Sequence, residues 1–83
     1  MTDPKIMNAI REIATNLQVG DARRAHAQME ILAIFAEVRV STIYAVAEEV
    51  AAEATEGGLS ARDYALDDFR LKDRLVRLEL VAA

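Results

Sequence analysis

Apolar residues recur along this chain at helical spacing, in stretches broken by glycine or by turn-forming residues. Ile6, Ile10, Ile13 and Leu17 come at steps of four, three and four, which puts them on one helix face. Asp3-Pro4 ahead of them is a start signal: an N-cap acceptor, then a proline whose fixed φ suits the first helical position. Gly20 is a stop signal, with Asp21 as the next cap candidate. The pattern predicts a first helix over about 4–18.

Between Ala22 and Glu56 there are two stripes, Ala25, Met29, Leu32, Ala36 and Ile43, Val46, Val50, Ala54. They are nearly in phase, so one helix over 22–56 is the main alternative. Against it stands Val38-Arg39-Val40-Ser41-Thr42-Ile43, rich in β-branched residues that are stiff in helices. Ser41 or Thr42 could also cap a new helix. The preferred reading is two helices, about 22–37 and 42–56, joined by a short turn. Gly57-Gly58 ends the second of these, and Ser60 is placed to cap the next helix.

A last helix is expected over about 61–80. Tyr64, Leu71, Leu75 and Leu78 fall on one side of it, and Leu66, Phe69, Val76 and Leu80 roughly opposite. A helix apolar on two sides is either sandwiched within a fold or turned toward a partner. Leu66, Phe69, Val76 and Leu80 are therefore interface candidates. The fold class is all-α, a compact bundle of three or four helices in one domain over 1–83.

Composition changes the picture in two ways. The chain has 83 residues, is 53% apolar and has no cysteine. A domain this small hides only about 60–65% of its unfolded surface, and no disulfide or thiolate metal site can staple it. Such chains borrow buried surface, so a homodimer or a tight hetero-complex is expected. No uncharged run exceeds eight residues, Val40–Ala47 among them, against the ~20 a spanning helix needs. No signal peptide is evident, and a cytoplasmic location without membrane partners is the expectation.

The net charge of −4 is also uneven. Acids and bases balance over 1–20, 21–40 and 59–83, so the whole excess lies in Glu48, Glu49, Glu53 and Glu56. Glu49, Glu53 and Glu56 share a face, where like charges at i,i+4 repel and face the negative end of the helix dipole. A solvated face explains this pattern, and so does a contact site for a basic protein partner. In the last helix Asp63 and Asp67 precede Arg70, Arg74 and Arg77, an order that suits the dipole.

The residues offer no catalytic site. Nucleophilic catalysis needs a hydroxyl or thiol beside an oriented base, and His26 is the single histidine, set among Arg23, Arg24 and Glu30 as a surface or boundary residue. The glycines Gly20, Gly57 and Gly58 form no phosphate loop. Glu49 and Glu53 lack the Glu-x-x-His partner of carboxylate metal sites in helical bundles. No cofactor or metal is expected, and the chain reads as a non-enzyme.

Residues 25–81 resemble a winged-helix domain of the kind found at the C-terminal end of archaeal origin-recognition initiators. The apolar helix Met29–Ala36, the Val-Ser-Thr step at 40–42, Ile43-Tyr44 with Glu48-Glu49-Val50, the glycine turn and the Leu75–Val81 close carry the likeness. It implies a helix-turn-helix whose last helix enters the major groove, with Arg62, Arg70, Lys72, Arg74 and Arg77 as nucleic-acid contacts. The chain departs from that pattern in having no room for the wing after Leu80 and no glycine between the first two helices. It also has Asp63, Asp67 and Asp68 where the recognition helix would face phosphate. The primary expectation is a self-associating protein-interaction module with an acidic face at 48–56. A wingless DNA-binding regulator is the alternative.

Overall fold

The computed structural model describes residues 4–64, which form helices and the turns between them. α1 spans Pro4–Gln18, α2 Ala22–Ala36, α3 Val40–Glu56, and a fourth helix, α4, is described over Ala61–Tyr64. The remainder of the expected last helix lies outside the described residues. So do the interface candidates Leu66, Phe69, Val76 and Leu80 and the basic residues Arg70, Lys72, Arg74 and Arg77. The chain is an all-α bundle. α1 is its centre, packed against α2, α3 and α4.

The core follows the predicted stripes. Ile6, Ile10 and Ile13 of α1 are buried, joined by Met7 and Ala14, and Leu17 packs partly buried at the edge. α2 contributes Ala25, Met29, Leu32 and Ala33. α3 contributes Ile43, Val46, Ala47, Val50, Ala51 and Ala54. Alanines fill much of α3's inner side, and the largest fully buried side chains are Ile10, Ile13, Met29, Ile43, Val46 and Val50. No polar or charged side chain is buried among the described residues.

All three long helices close with the same hydrogen-bond pattern, in which a residue in the left-handed region receives the chain. Gly20 (φ +86°) ends α1, with Gly20 N–H donating to Leu17 and Asp21 N–H to Asn16. Gly58 (φ +73°) ends α3, through Gly58 N–H to Thr55 and Leu59 N–H to Ala54. α2 ends on Glu37, at φ 57° and ψ 43°, with Val38 N–H donating to Ala33. A side chain at that φ is strained by crowding of Cβ on the backbone.

This break bears out the preferred reading of two helices joined by a short turn, with bounds shifted by one and two residues. The single helix over 22–56 does not form, because the chain reverses at Glu37. α2 stops at Ala36 rather than 37, and α3 begins at Val40 rather than 42. Neither Ser41 nor Thr42 is the cap: the N-cap is Arg39, extended at ψ 145° and without a side-chain cap bond. The β-branched residues Val40 and Thr42 sit in the first turn, where burial of Ile43 and Val46 outweighs their weak helix preference. The Asp21 and Ser60 caps form as predicted: Asp21 Oδ1 accepts from Arg24 N–H at 3.2 Å, and Ser60 Oγ from Asp63 N–H at 3.1 Å.

Side-chain bonds fix how the helices join. Asn16 Nδ2 donates to Gln28 Oε1 at 2.7 Å, tying α1 to α2. Gln18, the last residue of α1, reaches the α3–α4 joint. Its Nε2 donates to Leu59 O at 2.8 Å and Thr55 Oγ1 at 3.1 Å, and its Oε1 accepts from Ala61 N–H at 2.7 Å.

Candidate interaction surface

α2 is apolar on two sides. Its inner stripe enters the core, and on the opposite side Ala27, Ile31, Ile34 and Phe35 come at steps of four, three and one. Ile31 is 69% exposed, Ile34 80% and Phe35 56%. Residues three and four apart are neighbours on a helix, so these three large side chains make one continuous patch. Scattered exposed apolar residues are ordinary, whereas a contiguous patch marks a contact site.

The patch continues into a groove of about 290 Å³ between α1 and α2, lined by Ala9, Ile31, Leu32 and Phe35 with Lys5, Glu12 and Gln28. The walls are largely hydrocarbon, with one charge of each sign from α1. Nothing in that lining pairs a nucleophile with a base.

The acidic residues of α3 point away from the core. Glu48, Glu49 and Glu56 are exposed and surround the small outward residues Ala45 and Ala52, while Glu53 lies at the flank, partly buried. Glu48 accepts a hydrogen bond from the Tyr44 hydroxyl, and its carboxylate raises the phenol above its ordinary value of 10.0. Glu49 and Glu53 both interact with other groups. The acids therefore form one face, as their spacing predicts, with Glu53 at its inner border.

Of the basic residues expected to touch nucleic acid, Arg62 is described. Its Nη2 lies 3.7 Å from Glu12 Oε1, with both side chains more than half exposed. An ion pair so open to solvent adds little stability. His26 is exposed, with Nε2 3.4 Å from Glu30 Oε1. Among the described residues no group of three or more His, Asp or Glu could hold a metal ion. None of their helices is long and apolar enough to cross a membrane.

The sequence pattern does not single out the outer stripe of α2. Its signal lies within the run Ile31-Leu32-Ala33-Ile34-Phe35-Ala36, where apolar residues occupy both sides of the helix and hide each other's period. Two overlapping phases in that run, like those of the last helix, are the trace it leaves.

Comparison with known proteins finds no family model matching this chain, and no curated protein or solved structure matching it.

Proposed function

We propose that this chain is a non-enzymatic protein-interaction module that self-associates through the outer face of α2. The exposed patch Ile31-Ile34-Phe35 carries this reading. Three large apolar side chains on one face hold water at a free-energy cost that a partner surface relieves. The short chain of 83 residues supports the same conclusion, because a domain of that size hides a smaller share of its surface and contact with a second molecule adds buried area. The acidic outer face of α3 is a second contact surface, for a basic protein partner. Light scattering across a concentration series tests the reading. The mass should rise above the 9.1 kDa of a single chain, and a constant monomer mass would remove self-association.

The turn 57–60 between α3 and α4, four residues with two glycines, has helix-turn-helix length, and this supports the alternative of a DNA-binding regulator whose last helix enters the major groove. The start of α4 weighs against it. Asp63 stands exposed in its first turn, and a carboxylate there would meet phosphate. A gel-shift titration separates the two readings: binding that weakens steeply with salt would favour DNA, and no binding at low salt would eliminate it.

A further inference from the structure

We infer that the occupant of the α2 face is α2 of a second copy of this chain, lying antiparallel across a two-fold axis near Glu30 and Ile31. This rests on the interaction reading above and specifies its partner and geometry. The first observation is the order of charge along α2. Arg23 and Arg24 stand in its first turn, its last turn has no basic residue, and Glu37 closes it. Bases at the start and an acid at the end both oppose the helix's own dipole. The capping Asp21 offsets one of the two bases locally, and the remaining charge order is open to compensation by a partner of reversed polarity.

An antiparallel copy supplies that compensation. In the register that pairs Ala27 with Ile34 of the other copy, Arg23 comes level with its Val38 and within one residue of its Glu37, and Arg24 within two residues of its Phe35. The two-fold axis makes each contact twice. A parallel arrangement would put bases on bases and acids on acids. Glu30 falls beside the axis, where two carboxylates approach, and His26 of the same helix stands 3.4 Å from it.

The patch area sets the strength. At roughly 200 Å² per large side chain, the exposed parts of Ile31, Ile34 and Phe35 come to about 400 Å² per copy. Two copies bury about 800 Å² from these side chains, and the flanking residues bring the total near the ~1,000 Å² lower bound for a specific interface. The association is therefore weak and concentration-dependent.

Complementary charge swaps test the pairing by sedimentation velocity from about 5 to 500 µM, a range suited to weak association. Arg23→Glu alone and Glu37→Arg alone should each weaken association about tenfold at low salt, since each turns two attractive pairs into repulsive ones. An equimolar mixture of the two variants should restore wild-type association. In the mixed dimer the introduced glutamate meets the introduced arginine at one end, and the native Arg23–Glu37 pair remains at the other. Circular dichroism should show both variants folded, as both positions are exposed. A wild-type dimer whose swaps fail to rescue each other overturns the antiparallel pairing and leaves self-association standing. A dimer that ignores Ile34→Glu also overturns it, and places the contact elsewhere, on residues 65–83 or on α3. A chain monomeric throughout the range overturns the pairing and the self-association reading together.

Discussion

Replacing Gln18 by alanine tests whether the joint between α3 and α4 is held by one side chain. The amide of Gln18 touches Thr55, Leu59 and Ala61 at once, with bonds of 3.1, 2.8 and 2.7 Å. Two of these bonds are exposed, so water replaces them at small cost. The third is partly buried, and its donor belongs to Ala61, whose relative exposure is 0%. A net hydrogen bond contributes ~0.5–1.5 kcal/mol, and a stranded buried donor costs ~1–3 kcal/mol. With solvent replacing the exposed pair, Gln18→Ala should destabilise the fold by about 1.5 kcal/mol. For a domain of this size that lowers the melting temperature by about 6–12 °C. Gln18→Glu keeps the acceptor for Ala61 N–H but sets a carboxylate against Leu59 O, so its loss should be intermediate. Urea and thermal melts followed by circular dichroism give both values, and hydrogen exchange at the Ala61 amide should accelerate in Gln18→Ala. If Gln18→Ala melts within about 2 °C of wild type, packing of α4 on α1 positions the joint and the amide is incidental.

Other expectations follow from the same geometry. Glu37→Gly should relieve the left-handed strain and stabilise the monomer by about 0.5 kcal/mol after glycine's larger unfolded entropy is included, as read from urea melts of dilute protein. The same substitution should weaken self-association by removing the Arg23 partner. Glu56→Gln removes an acid at the negative end of α3 and should stabilise by ~0.3–1 kcal/mol at low ionic strength, an effect that salt diminishes in the same melts. The Tyr44 phenol should titrate above 10.0, because its hydrogen bond to Glu48 favours the neutral form. That contribution is present below the unfolded phenol value and is lost as pH rises through the folded one. The difference in ultraviolet titration between wild type and Tyr44→Phe measures it, and Glu48→Gln should bring it back toward 10.0.

The helices are legible in the sequence where a residue type has one backbone use. Gly20 and Gly58 adopt positive φ, Asp21 and Ser60 cap with their side chains, and each boundary they mark lies where the sequence pattern sets it. The break at Glu37 is different in kind. The end of α2 is forced by where Val38 must pack and by Val38 N–H returning to Ala33 O, so a residue with no left-handed preference takes that conformation. Arg39 leaves no sequence signal as an N-cap because its side chain makes no cap bond. Gln18 is invisible for another reason: its partners lie 37 to 43 residues away, and no local pattern reports them. The acidic face can be read because helical period alone turns Glu48, Glu49 and Glu56 outward. The α2 patch cannot, because apolar residues on both sides of a helix cancel the contrast that periodicity depends on.

The most direct test of the central claim is the mass of the chain in solution, measured by sedimentation or light scattering for wild type and for Ile31→Glu/Ile34→Glu. At 69% and 80% exposure, both positions accept glutamate without disturbing the core. The wild-type mass should climb from 9.1 kDa toward twice that value with concentration, while the double variant stays at 9.1 kDa and keeps its helical spectrum. A wild-type chain that remains at 9.1 kDa throughout, or a double variant that associates as well as wild type, would contradict self-association through α2.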